Sequence, residues 1–235
     1  MSFLDKLKGR TSFAESGILR GKKDSHSHIL YGVDDGIKNV EDSLIALKRQ
    51  EEFGLTDVWC TPHIMEDVPN KTADLQRRFS ELLAVYKGPL KLHLGAEYML
   101  DTNYKQRLET RDLLLLQDDQ VLVETSTGIP PYNFYELLHD TMHAGYRPVL
   151  AHPERYRYLS VDDYHKIVEM GILLQINLPS LVGYYGETAN KKAEYILEHG
   201  LCSRIGSDCH NPKLFNQAYQ RMSLKRSILK YLSDL

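Results

Sequence analysis

The chain has 235 residues, 42% of them hydrophobic and 26% charged, with a formal net charge of −3 and a pI near 6.4. That length buries a full core and suits one α/β barrel or one large α/β domain, so a single domain over 1–235 is expected, with residues 1–21 as a lead-in. The acidic balance excludes the basic stripe of a nucleic-acid binder, and no apolar run approaches the roughly 20 residues that span a bilayer. Lys6, Lys8 and Arg10 precede no apolar stretch of signal-peptide length, and Cys60, Cys202 and Cys209 form no Cys-x-x-Cys pair. Both features point to the cytoplasm.

Residues 22–30 read as the first strand, carrying Asp24-Ser25-His26-Ser27-His28, and 40–53 follow as a helix stopped by Gly54. A short β-rich run at 56–61 ends at Pro62-His63. A helix over 75–86 leads to a strand at 90–98 that includes Gly95-Ala96-Glu97, then a short helix at 101–108. The run 120–124 is a compact apolar strand ending on Glu124. A helix at 134–144 and a strand at 147–151 lead to His152-Pro153-Glu154-Arg155. Helices at 161–170 and 189–199 flank a strand at 172–178, and the last strand, 201–205, runs into Gly206-Ser207-Asp208-Cys209-His210. From Pro212 onward Phe215, Ala218, Met222, Ile228 and Leu232 suggest a closing helical segment. Helices alternating with strands predict a parallel sheet, and a count of seven strands leaves either an incomplete barrel or a doubly wound open sheet.

In a parallel barrel the site forms at the C-terminal strand ends. His26, His28, His63, Glu97, Glu124, His152, Asp208 and His210 all fall there, and Asp34-Asp35-Gly36 reads as a turn that puts its acids on a nearby loop. Each alone is an ordinary surface residue; together, facing imidazoles and carboxylates need cations between them. Without cysteine among the candidate ligands the set suits Mn, Fe, Zn or Mg, and it exceeds what one ion can use, so two or three ions are expected. His93, His139, His143, His165 and His199 lie within strands or helices and are assigned to packing. Cys209 should point away from a site that holds both its neighbours. No Gly-x-Ser-x-Gly elbow, Walker loop or Gly-x-Gly-x-x-Gly run is present, and no arginine stands six residues after any cysteine, as a thiol phosphatase needs.

In this order the motifs resemble the polymerase-and-histidinol-phosphatase (PHP) superfamily, and within it the bacterial manganese-dependent protein tyrosine phosphatases of capsule and exopolysaccharide gene clusters. The resemblance covers Asp24 to about Asn211. It implies an α/β fold, a distorted seven-stranded (β/α)7 barrel, with a three-metal site. One ion would be held by His26, His28, Glu97 and Asp208, a second by Glu97, Glu124 and His152, and a third by Asp35, His63 and His210. Glu97 would bridge two ions, and Arg155 matches the phosphate-contacting arginine of the family. A second family arginine is missing where this chain reads Asn211-Pro212-Lys213, so Lys213 is its candidate substitute in substrate binding. The resemblance further implies Mn2+ as the metal, direct attack by metal-bound hydroxide, and a phosphotyrosine partner on the tail of a bacterial tyrosine kinase. A histidinol-phosphatase-like phosphomonoesterase and a barrel-type amidohydrolase or nuclease are the alternatives.

Overall fold

The computed structural model describes residues 10–213, 219 and 223–235. Its strands are β1 (Arg10–Ser12), β2 (Lys23–Ser27), β3 (Asp57–Cys60), β4 (His63–Ile64), β5 (Lys91–Leu94), β6 (Glu97–Met99), β7 (Gln120–Glu124), β8 (Arg147–Ala151), β9 (Leu173–Asn177), β10 (Cys202–Gly206) and β11 (Ser223–Lys225). The helices are α1 (Phe13–Ser16), α2 (Val40–Glu52), α3 (Thr72–Val85), α4 (Thr102–Thr110), α5 (Phe134–His143), α6 (Val161–Glu169), α7 (Glu187–Glu198) and α8 (Arg226–Ser233). Local chemistry explains several helix starts: Asn39 accepts from Asp42 N–H, Asp101 accepts from Tyr104 N–H, and Ser160 with Asp163 closes a reciprocal capping box. Among the described residues no helix is long and apolar enough to cross a membrane.

The fold is α/β with parallel sheets. One sheet has the order β2-β3-β5, the other β10-β9-β8-β7-β6-β4, and β1 pairs antiparallel with β11. Backbone bonds carry the pairing across the breaks between β3 and β4 and between β5 and β6, where the chain passes from one sheet to the other. Thr61 N–H donates to Ser27 O (2.8 Å), Gly95 N–H to Cys60 O (2.9 Å) and Glu97 N–H to Pro62 O (3.0 Å). Beyond the other edge Asp208 N–H donates to His26 O (2.8 Å) and His28 N–H to Cys209 O (3.1 Å), so the segment after β10 lies against β2. In this order the strand ends bring the two ends of the chain's motif list side by side.

The apolar residues form two clusters. The larger, including Val58, Tyr98, Val121, Val123, Leu150, Leu174 and Ile176, packs with helix residues such as Leu47, Leu82, Leu138 and Ile167. The smaller is Trp59, Leu116, Leu122, Val149 and Ala151. Strand alternation puts Leu122 on the same face as Glu124, so the small cluster is a dry floor one layer beneath the polar strand ends. Trp59 Nε1–H donates to Leu116 O, which satisfies its polar edge there.

Three expectations need correction. The first strand stops at Ser27, because His28 turns its N–H to Cys209 O and the chain leaves into the loop through Gly32 and Gly36. The expected strand at 90–98 is two strands, since Gly95 and Ala96 between them transfer the pairing from β3 to β4. The expected closing helix contains strand β11 before α8; Phe215, Ala218 and Met222 lie outside the described residues. The lead-in includes β1, the partner of β11.

Candidate metal centre

Eight of the nine expected ligands converge at the strand ends in a largely buried nest, and Asp35 closes it from the exposed side. Glu97 stands at the centre: its Oε2 lies 3.1 Å from His26 Nε2, 3.2 Å from His28 Nε2 and 3.1 Å from His63 Nδ1, and its Oε1 lies 2.9 Å from His152 Nε2. The in-register pairing of His63 with Glu97 places those two side by side. Glu124, paired with Met99 one strand over, brings Oε1 to 3.0 Å from His63 Nδ1 and Oε2 to 3.8 Å from His152 Nε2. Asp208 Oδ1 is 3.6 Å from His26 Nε2, 3.5 Å from His28 Nε2 and 3.3 Å from His210 Nδ1. Asp35 Oδ1 sits 3.5 Å from His63 Nε2 and 3.4 Å from His210 Nε2.

Four groups of donor atoms within coordinating reach of one another result: His28, Asp35, His63 and His210; His26, His28 and Asp208; His26, Glu97 and His152; His63, Glu97 and Glu124. The expected second set of Glu97, Glu124 and His152 is thus divided here, with His63 turned towards Glu124. Arg155 Nη1 donates to Asp208 Oδ2 (2.9 Å), so it joins the centre from one side. Lys213 is exposed, its backbone N–H bonded to Asn211 Oδ1, and no bond joins it to the nest among the described residues.

The nest is aimed by residues around it that were not among the expected ligands. Asp34 Oδ2 bonds His28 Nδ1 (2.7 Å) and accepts from His63 N–H (3.0 Å), while its Oδ1 accepts from Gly36 N–H. Gln175 Oε1 accepts from His26 Nδ1 (2.8 Å), which fixes the proton there and leaves Nε2 facing Glu97. Asp208 Oδ2 accepts from Asn177 Nδ2 (2.6 Å), Arg155 and the Tyr185 hydroxyl (3.2 Å), so Oδ1 is the oxygen offered to the histidines. Such partners lock ligand orientation and basicity. Gln175 was legible in principle as an inward residue two before Asn177; Tyr185, in a loop between Gly183 and Gly186, gave no signal.

Backbone shape is specialised as well. His152 (φ 34°) and Asp208 (φ 49°) occupy the left-handed region that non-glycine residues avoid, and both are held there by the nest. A Cβ on Gly36 would stand 2.4 Å from His28 Cβ, so this turn needs glycine for close approach.

The electrostatics fit cations. Burial lowers the basicity of His26, but the facing Glu97 and Asp208 outweigh it and raise His26 to about 9. His28 is raised well above its ordinary value in the same way by Asp34 and Glu97, and His63 is raised by Glu97 and Glu124. Burial works to raise Glu97 and Asp208, yet the imidazoles hold both below the usual carboxylate range. The nest therefore wants positive charge. Glu97 Oε2, Glu124 Oε1 and His63 Nδ1 are buried without a hydrogen-bond partner, the condition of donor atoms shaped for metal.

Three of the remaining histidines have packing partners, whereas His139 and His143 are exposed on α5. His93 stacks on Trp59 at 4.0 Å and bonds Asp57, and His165 and His199 pack on Tyr195. Cys209 lies in the core, its side chain away from the nest. Tyr132 is fully exposed, whereas the Tyr156 hydroxyl is spent on Thr125 N–H.

Parallel strands that gather imidazoles and carboxylates at one end define an α/β protein with the arrangement a centre of more than one ion requires. The chain belongs to the capsular polysaccharide synthesis family CpsB/CapC, whose model matches residues 22–222. It is 30% identical over 201 residues to the tyrosine-protein phosphatase YwqE of Bacillus subtilis, covering 82% of this chain and 79% of that protein. With the tyrosine-protein phosphatase CpsB of Streptococcus pneumoniae it shares 29% over 218 residues, 86% and 90% of the two chains. A solved structure from work on these two proteins, described as metal-dependent tyrosine phosphatases, superposes with TM-score 0.76 at 28% identity over 89% of this chain and 85% of that one. A lactonase from Listeria monocytogenes superposes with TM-score 0.54 at 12% identity over 92% and 85% of the two chains, which shows a likeness of fold alone.

Proposed function

We propose that this chain is a metal-dependent protein tyrosine phosphatase, and that its strands form a distorted seven-stranded barrel in which β3 with β4, and β5 with β6, each act as one broken strand. The proposed ligands are His26, His28, Asp35, His63, Glu97, Glu124, His152, Asp208 and His210, holding two or three ions with Mn2+ as the expected metal. The observation that carries this reading is Glu97 Oε2, buried and unbonded between three imidazole nitrogens at 3.1–3.2 Å. Homology to tyrosine-protein phosphatases supports the substrate class.

Bound cations would neutralise phosphoryl oxygens and make a coordinated water acidic enough to attack phosphorus. Everything else comes from the chain. Arg155, half-buried with its guanidinium 4.5 Å from the Tyr185 ring centroid, presents a fixed fork to the phosphoryl oxygens. Asp34 and Gln175 hold the imidazoles so that the nest need not reorganise during reaction. A covalent thiol route is disfavoured. Burial pushes Cys60 and Cys202 to about 12 and raises Cys209 as well, so none offers a thiolate. The proposed partner is a phosphotyrosine segment of a bacterial tyrosine kinase in capsule or exopolysaccharide synthesis, and the proposed compartment is the cytoplasm, in keeping with three free buried cysteines.

Elemental analysis of active protein should find two or three transition-metal ions per chain, and Glu97→Ala should lose both metal and phosphotyrosine hydrolysis. Wild-type turnover in that variant, or active protein with less than one metal per chain, removes the central carboxylate from its role.

A further inference from the structure

Beside the nest opens a second cavity of about 430 Å³, and Arg155 and Tyr185, the residues that reach Asp208, form the wall between the two. Arg157 lines the same cavity. Its backbone N–H is pinned to Thr127 O (2.9 Å), its side chain is exposed, and its guanidinium has no ion-pair partner among the described residues. Lys192 adds a second cation, with Nζ donating to Tyr156 O and Leu159 O (both 2.7 Å), which also braces the segment bearing Arg157.

The acids of the cavity do not cancel this charge. Glu187 is exposed and paired with Lys191 at 2.7 Å. Glu154 is buried, and its Oε1 accepts from Asn177 N–H and the Ser180 hydroxyl. Glu154 Oε2 is also buried, without a hydrogen-bond partner. The first turn of α7 lines the same cavity, and its N-cap Gly186 supplies no side chain to the free N–H groups, which favours an anion.

We propose that this cavity is a subsite for an acidic side chain flanking the phosphotyrosine in the substrate polypeptide, with Arg157 as the recognition residue. The proposal rests on the phosphatase reading. Its ligand is a carboxylate or a second phosphate on the same peptide, because the cavity adjoins the proposed phosphate-contacting Arg155 and offers cations to a side chain next to the phosphotyrosine.

The test uses Mn2+-loaded full-length protein and phosphotyrosine peptides carrying Glu, phosphotyrosine, Ala or Lys at each flanking position. The Glu peptide should exceed the Ala peptide in kcat/KM by on the order of fivefold, mainly through KM, at the best position. A larger gain with the second phosphotyrosine than with Glu identifies phosphate as the preferred anion. Arg157→Gln should bring the Glu-to-Ala ratio to near one, and Arg157→Glu should turn the preference towards the Lys peptide, which a merely structural role would not do. A ratio unchanged by either substitution, or an equal fall on all peptides, overturns the subsite alone. No hydrolysis of any peptide by the wild-type protein overturns the phosphatase reading and the subsite with it.

Discussion

Asp34 shows what single residues contribute here. One carboxylate holds the His28 ring and caps the backbone of both Gly36 and His63; burial acts to raise it, but His28 outweighs that and brings it to about 2. It therefore stays ionised and acts through three partners at once. Asp34→Ala should weaken metal binding by about 10- to 100-fold while leaving all nine proposed ligands in place. Isothermal titration with Mn2+ checks this, and unchanged affinity would make Asp34 a bystander. The contrast with Asp35 marks the limit of reading residues in sequence. The motif Asp34-Asp35-Gly36 announces two acids on a turn, but which one faces the nest depends on the turn's geometry. The residues proposed as ligands were legible because most of them stand at strand ends; of their supports, Gln175 carried only its inward strand position and Tyr185 no signal, because amide and phenol side chains occur everywhere and carry no spacing rule. Lys213, exposed and with its backbone N–H on Asn211 Oδ1, was matched by its place in a motif, which says nothing about where an exposed side chain reaches.

At the scale of elements, the loop from Ile29 to Asn39 is the most constrained connection to the site. It must leave β2, place Asp34 beneath His28 and Asp35 beside His63 and His210, and return to α2, whose Ser43 hydroxyl donates to Ile29 O (2.6 Å). Gly36 makes this possible, as an added Cβ would meet His28 Cβ at 2.4 Å and His28 O at 2.5 Å. Gly36→Ala should cost about 1–3 kcal/mol of stability, the cost of overpacking a rigid site, and weaken metal binding as His28 is displaced. Urea titration of metal-loaded protein measures it; stability within about 0.5 kcal/mol of wild type would show that the loop can yield. Strands β7 and β8 were legible to the residue and helices α2 to α7 to within about three residues, because 3.6-residue periodicity and unbroken apolar runs are local signals, whereas the short α1 gave none. The strand end at Thr61-Pro62 was legible too; the short β4 beyond it and the break at Gly95-Ala96 were not, since they arise from pairing between strands distant in sequence. The β1–β11 ribbon was hidden for the same reason: each member has only three residues.

For the whole molecule, the site's charge couples metal binding to stability. His26 titrates at about 9 in the folded chain against roughly 6.5 when unfolded, so in protein stripped of metal its contribution is fully present below about pH 6.5 and is lost as pH rises through about 9. Metal needs the neutral imidazole, so stabilisation by Mn2+ grows over the same window. The gap in thermal midpoint between loaded and chelated protein should therefore widen from pH 6.5 to 8.5; calorimetry showing a narrowing gap would contradict the proton competition. The parallel topology makes this coupling possible, since it gathers side chains from residue 26 to residue 210 into one nest. On the proposed reading the nest serves phosphoesters in general, and the residues at its edge, Arg155 foremost, would set the choice of substrate. The most direct measurement is the steady-state kinetics of Mn2+-loaded wild type and Arg155→Ala on a phosphotyrosine peptide, a phosphoserine peptide and histidinol phosphate. The phosphotyrosine peptide should have the highest kcat/KM, and Arg155→Ala should lower it by about 2–3 kcal/mol of transition-state stabilisation with metal content unchanged. Fastest turnover of histidinol phosphate, or an Arg155→Ala protein indistinguishable from wild type on every substrate, would contradict a tyrosine phosphatase built on this centre.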